Sequence, residues 1–296
     1  MTQRGIVVGV DGSPSSWVAL RWAAHEAAMR NVVLTVVNVI DRPAFDLVVL
    51  GGPAAPIQTE PTRRQQRAAE TILADARAVV ADSTESAARP EVCTQVFFAA
   101  AVPTLVELSR DAHLVVVGRR GHGRLRRVLL GSVSTGLLHH AWCPVAVIHD
   151  EAPFARQPWP LPVVLGVDGS AASELATAIA FDEASRRRVE LVALHAWGGI
   201  EQTHIGDDEW TARQDQAEQA LAERLAGWQE SYPDVAVRRR LVWQHPARHL
   251  LEEADSAQLV VVGNRGRGGF AGMLLGSVST AVIQAAPVPV IVARLH

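Results

Sequence analysis

Residues 129–135 read Leu-Leu-Gly-Ser-Val-Ser-Thr, and residues 274–280 read the same seven letters. The rest of the chain falls into two copies around this stretch. Leu114–Gly118, Leu-Val-Val-Val-Gly, returns 145 positions later as Leu259–Gly263. The Pro-Val-Ala-Val-Ile of residues 144–148 returns as the Pro-Val-Ile-Val-Ala of residues 289–293. Nearer the start, Gly9-Val10-Asp11-Gly12-Ser13 recurs as Gly166-Val167-Asp168-Gly169-Ser170, here at an offset of 157. Two copies at so long a period imply a duplicated domain rather than a solenoid. The fall in offset gives the first copy 12 extra residues, for which the Pro- and Gly-containing residues 41–61 offer room.

Within the first copy, apolar runs and helical stretches alternate. The expected order is strand 6–11, helix to Arg30, strand 34–40, helix 62–82, strand 92–98, helix 103–111, strand 114–118, helix 132–141 and strand 144–148. Ser13-Pro14 is a helix-start signature, a capping hydroxyl followed by proline at the first helical position. The second copy follows the same order from Val163 to Ala293. Near-continuous Val/Ile/Leu runs suit strands buried on both faces, as in a parallel sheet. Five strands with four crossover helices predict a doubly wound α/β domain, twice over. The completeness of the repeat disfavours a single mixed sheet. Four prolines between residues 150 and 162 make an extended linker. The expected division is therefore 1–150, linker 151–161 with its boundary near 154–159, and 162–296.

The chain has 296 residues, 20% of them charged and 48% apolar, enough for two ordinary cores. No apolar run is long enough for a membrane span. The opening residues run straight into a strand, which leaves no room for a secretory leader. Cys93 and Cys143 make neither a disulfide framework nor a metal-ligand spacing, and a cytoplasmic location is expected. All 28 basic residues are arginine, so a P-loop lysine, a Schiff-base lysine and a lysine general base are excluded. The net charge of −3 argues against nucleic acid as a partner.

Ligands of open α/β sheets bind beyond the carboxyl ends of the strands. Two segments leave those ends in each copy. One is the Gly-Val-Asp-Gly-Ser turn, which begins at Gly9 and Gly166. The other follows the fourth strand: Gly118, two residues, Gly121, nine residues, then Gly131-Ser132, repeated as Gly263, Gly266 and Gly276-Ser277. Glycines let main-chain N–H groups approach an anion. Ser132 and Ser277 would each open a helix whose free N–H groups favour phosphate. The hydroxyls of Ser132, Ser134, Ser277 and Ser279 could add hydrogen bonds. Asp11 and Asp168 lack the partner carboxylate and lysine that aspartyl-phosphate chemistry needs. Either they accept from a ribose hydroxyl or base amine, or they are turn aspartates ahead of glycine. A dehydrogenase fingerprint is absent after the first strand.

With these residues in place, the sequence resembles the universal stress protein family in its tandem, ATP-binding form, as in mycobacteria. The carriers are Ile-Val-Val-Gly-Val-Asp-Gly-Ser (6–13), Leu114–Gly118 with the glycine loop, residues 129–135 and residues 144–148, with their counterparts in the second copy. The resemblance implies strand order 3-2-1-4-5 and ATP held between the two loops, with any Mg2+ held mainly by the phosphates. It implies that Asp11 and Asp168 face the adenosine, and that Val39 and Ala196 offer backbone to adenine. Gly118, Gly121, Gly131, Ser132, Val133 and Ser134 would hold ribose and phosphates, as would Gly263, Arg265, Gly266, Gly276, Ser277, Val278 and Ser279. Many relatives carry glycine two residues before the proline that follows strand three; here Ala101 and Gln244 stand there. The implied role is a stress-responsive nucleotide sensor with little or no turnover. A slow ATPase using the same sites and an interaction scaffold with vestigial pockets are the alternatives. Family dimers pair the last strands, so those of the two copies are expected to pair within one chain, and the chain could dimerise further.

Lesser features are read modestly. His122 has Arg267 as its counterpart, so a shared catalytic histidine is excluded, and His139 and His140 are expected at or near the surface. Trp197 either lines an adenine pocket or packs in a core. The first copy carries five arginines in its loop (Arg119, Arg120, Arg124, Arg126, Arg127) against Arg265 and Arg267 in the second. Either the five give the first copy a modest triphosphate preference that shrinks with salt, or they form a solvated face or a partner patch.

Overall fold

The computed structural model describes residues 5–40, 60–83, 89–121, 130–149, 160–198, 207–267 and 274–295. The chain divides into two compact units, Met1–Asp150 and Glu151–His296. In the first unit the order is β1 (Ile6–Gly9), α1 (Pro14–Arg30), β2 (Leu34–Ile40), α2 (Glu60–Ser83), β3 (Val92–Phe98), α3 (Ala101–Leu108), β4 (Leu114–Gly118), α4 (Ser132–His140) and β5 (Val145–Ile148). In the second it is β6 (Val163–Val167), α5 (Ala171–Arg187), β7 (Leu191–Trp197), α6 (Asp207–Ser231), β8 (Val237–Trp243), α7 (Pro246–Ala254), β9 (Leu259–Gly263), α8 (Ser277–Ala285) and β10 (Val290–Ala293).

All pairings within a unit are parallel. β1 lies between β2 and β4, with Ile6 opposite both Leu34 and Leu114; β3 flanks β2 and β5 flanks β4. The order is β3-β2-β1-β4-β5 in the first unit and β8-β7-β6-β9-β10 in the second. Central strands read as unbroken apolar runs because helices cover both faces. Ile6, Val7, Val8, Val115, Val116, Val163, Val164, Leu165 and Leu259 are fully buried. The strands at the far side, β3 and β8, are partly exposed along their length, and β8 carries Arg238, Arg239 and Arg240 there. Charge of this kind blunts a sheet edge.

The first helix of each unit is set by the same grammar. Ser13 and Ser170 cap α1 and α5 by accepting from the N–H of Ser16 and Ser173. Each helix ends on a residue in the left-handed region, Asn31 and Arg188, whose N–H returns to the last carbonyls. Both helices bury a glutamate against an arginine one turn on: Glu26 Oε1 lies 2.6 Å from Arg30 Nε, and Glu183 Oε2 lies 2.9 Å from Arg187 Nε. Of the boundaries that differ from expectation, two have a plain physical reason. β1 stops at Gly9 because the chain turns there toward α1. α3 starts at Ala101, ahead of Pro103, since first-turn N–H groups need no intrahelical partner and proline is tolerated there. The linker boundary at 154–159 and the insertion at 41–59 lie outside the described residues. Among the described residues, no helix is long and apolar enough to cross a membrane.

Candidate functional site

At the carboxyl ends of the strands each unit holds one cavity built from its two loops. In the first unit the glycine loop is closed at its base: Gly131 N–H donates to Arg119 O at 2.8 Å. The Ser134 hydroxyl donates to Gly118 O at 2.9 Å. The second unit repeats both bonds, Gly276 N–H to Asn264 O at 2.8 Å and the Ser279 hydroxyl to Gly263 O at 2.6 Å. The clasp aims the N-termini of α4 and α8 into the cavities. Neither N-terminus has a side-chain cap, because Gly131 and Gly276 stand at the capping position. Free N–H groups and the helix dipole thus face the cavity.

The first loop meets the second closely. The carboxylate of Asp11 accepts from Ser13 N–H at 2.9 Å, and that of Asp168 from Ser170 N–H at 2.9 Å. The other oxygen of Asp168 accepts from Arg267 N–H at 3.2 Å. These aspartates are therefore turn-forming residues, and the second oxygen of each reaches the neighbouring glycine loop. A Cβ at Gly121 or Gly266 would strike that oxygen. A Cβ at Gly118 or Gly263 would meet the backbone of Ser15 at 2.8 Å or Ala172 at 2.9 Å. The first glycine of the loop is thus required by the start of α1 or α5, whatever ligand occupies the cavity.

The first cavity, about 430 Å3, is lined by all nine residues expected from the first copy: Gly9, Asp11, Val39, Gly118, Gly121, Gly131, Ser132, Val133 and Ser134. The second, about 960 Å3, is lined by all ten from the second: Gly166, Asp168, Ala196, Gly263, Arg265, Gly266, Gly276, Ser277, Val278 and Ser279. One role changes. The Ser134 and Ser279 hydroxyls spend their single proton on the loop carbonyls, so they cannot donate to an anion; they position the loop. His122, Arg124, Arg126 and Arg127 lie outside the described residues. His139 and His140 sit at the end of α4, their rings 6.0 Å apart, partly and fully exposed.

The sequence reading missed what the long helix and the second strand contribute. Arg213 and Arg224, eleven residues apart on α6, face the second cavity on one helical stripe. That spacing was the available signal. Among the described residues lining the first cavity, Arg120 is the only arginine. The second cavity is lined by Arg213, Arg224, Arg265 and Arg267, while three of the five loop arginines on which the first unit's expected preference rests lie outside the described residues. Arg120 Nε and Arg224 Nη1 are buried and have no hydrogen-bond partner among the described residues.

Asn38 and His195 were also missed. Asn38 Nδ2 donates to Val10 O at 2.7 Å, and His195 Nδ1 bonds Val167 O at 2.7 Å, tying second strand to first in both units. A carbonyl only accepts, so Nδ1 carries the proton and Nε2 is left as an acceptor. Burial pushes the His195 pKa below 6.5; Arg224 and Arg267 add to this, while the Val167 bond and Asp168 oppose it. Trp197 both lines the second cavity and belongs to an aromatic cluster, 4.8 Å from Trp210 and 4.6 Å from Trp243 between ring centroids. The chain leaves this cluster through two non-glycine residues with positive φ, Gln244 (50°) and His245 (45°). Gln244 stands where the family resemblance implies a glycine, and it keeps a positive φ. Ala101, its counterpart, is instead the first residue of α3.

Residues 3–149 and 161–294 each match the Universal stress protein family. A universal stress protein of Mycobacterium tuberculosis (strain ATCC 25618 / H37Rv) is 52% identical over 290 residues, covering 98% of this chain and 96% of that one. The crystal structure of a universal stress protein from Archaeoglobus fulgidus DSM 4304 is similar at a TM-score of 0.69 and 21% identity, over 99% of both chains. A universal stress protein solved in complex with cAMP covers 47% of this chain and 100% of its own, at 26% identity and a TM-score of 0.37.

Proposed function

The chain belongs to the universal stress protein family, and on that premise we propose that it is a cytoplasmic ATP-binding regulatory protein of the stress response. In this reading each unit has one nucleotide site and turns ATP over slowly or not at all. One observation carries it, made twice: an uncapped helix N-terminus and a buried guanidinium nitrogen without a partner line the same cavity. Buried donors left unsatisfied are costly, and an anion that accepts from them removes the cost.

The residues divide the work by chemistry. Main-chain N–H groups at Ser132 and Val133, and at Ser277 and Val278, receive phosphate oxygens. Arg120 and Arg224 neutralise charge. Asp11 and Asp168, already fixed by their turns, accept from ribose hydroxyls with their second oxygen. Val39 and Ala196 line the apolar end, where a purine finds its contacts. Any Mg2+ is held by the phosphates themselves.

Mass spectrometry of small molecules released from purified protein, followed by calorimetric titration with ATP, tests the reading. The expected result is an adenine nucleotide in the released fraction or a stoichiometry of two ATP per chain. No bound nucleotide and no heat with ATP would leave the scaffold reading standing. Multiple turnovers at saturating ATP would identify a slow ATPase.

A further inference from the structure

Gly169 lies between Asp168 and the capping Ser170. Its φ is +74°, and a Cβ placed there would run into two guanidinium groups at once, Arg224 with its Cζ at 2.6 Å and Arg267 through Nη2. Two cations from different elements, α6 and the glycine loop, therefore lie side by side over one backbone position. Among the described residues neither forms an ion pair through its guanidinium. The carboxylate of Asp168 accepts from the backbone N–H groups of Ser170 and Arg267. Arg224 Nη1 is buried with no hydrogen-bond partner among the described residues. Like charges brought together and partly desolvated repel, unless an anion sits between them. Both side chains line the second cavity, and that cavity has more than twice the volume of the first. The space there is also bordered by His195, whose neutral ring adds no competing negative charge.

We propose that Arg224 and Arg267 form a second anion subsite over Gly169, additional to the α8 N-terminus, which makes the second unit select nucleotides with a longer phosphate chain. This rests on the nucleotide reading above. The α8 terminus takes one phosphate through main-chain N–H groups, and the arginine pair takes a phosphate further along the chain through charge-assisted bonds. A monophosphate reaches one subsite; a triphosphate reaches both.

The test uses the full chain and its Arg224→Gln variant, titrated calorimetrically with ATP, AMP and inorganic triphosphate. In the parent, one of the two sites is expected to favour ATP over AMP by about tenfold or more, the scale of one charge-assisted bond. The variant should lose that preference at one site, its ATP affinity falling about tenfold or more relative to its AMP affinity. An unchanged ATP-to-AMP ratio overturns the subsite and leaves the nucleotide reading intact. If the parent binds no nucleotide, the nucleotide reading falls. Triphosphate binding that depends on Arg224 would then still support the subsite, and its absence would overturn both. Thermal melting gives an independent sign. Removing one of two unpaired cations should raise Tm in the empty protein and lower it with saturating ATP. A lower Tm in both states would make Arg224 a packing residue and overturn the proposal.

Discussion

Asn38 and His195 hold the same place in the two units and make the same bond, a side-chain nitrogen to the carbonyl that ends the first strand's run, at 2.7 Å in each case. The difference is that one of them titrates. His195 is 6% exposed, and burial, with Arg224 and Arg267 nearby, holds its folded-state pKa below 6.5. A depressed histidine takes up its proton more readily when unfolded. Its stabilising effect is therefore complete above about pH 6.5 and is lost as pH falls below that, until the folded form protonates as well. His195→Asn should keep the tether, as Asn38 shows, and remove this slope. Urea denaturation of both proteins between pH 5 and 8 measures it. Identical pH dependence in parent and variant would show that His195 does not couple folding to protons here.

At the scale of elements, the glycine loop and the first helix act as one piece. Gly118 and Gly263 look in the sequence like phosphate-loop glycines, for which a methyl would crowd the ligand. In the structure the methyl would meet the backbone of Ser15 or Ala172 instead, at 2.8 and 2.9 Å. Backbone cannot step aside as a side chain can, so Gly263→Ala should cost on the order of 1–3 kcal/mol of stability even without nucleotide. Denaturation of the ATP-free variant checks this; parent-like stability with weakened binding would restore the simpler view. The same contrast shows what was legible. Strands, helix starts and the paired loops follow from local signals, namely apolar runs, Ser-Pro and Gly-Ser, which act within a few residues. What Gly118 touches, what the Ser134 proton does and which helix supplies Arg224 all depend on contacts across long separations. A periodic reading of one segment does not reveal them. At Gln244 the implied family pattern and the local residue disagree, and the backbone there keeps the positive φ a glycine would allow, at 50°.

For the molecule as a whole, duplication produces two units with the same defect. Within its own unit β5 pairs with β4 alone, and β10 with β9 alone. The strands read Val-Ala-Val-Ile and Val-Ile-Val-Ala, without a charge, and in each copy proline precedes the strand rather than interrupting it. In the second unit the opposite side of the sheet is handled differently: β8 carries three consecutive arginines. A short apolar edge with unpaired N–H and C=O groups is a template for another strand. A fragment comprising residues 1–149, or one comprising residues 160–296, should therefore self-associate when expressed alone, provided circular dichroism shows it folded. Sedimentation equilibrium over a wide concentration range would detect dimers that dissociate on dilution. A folded fragment that stays monomeric throughout would mean that the helices beside β5 and β10 already shield those edges, and the duplication would need another physical reason.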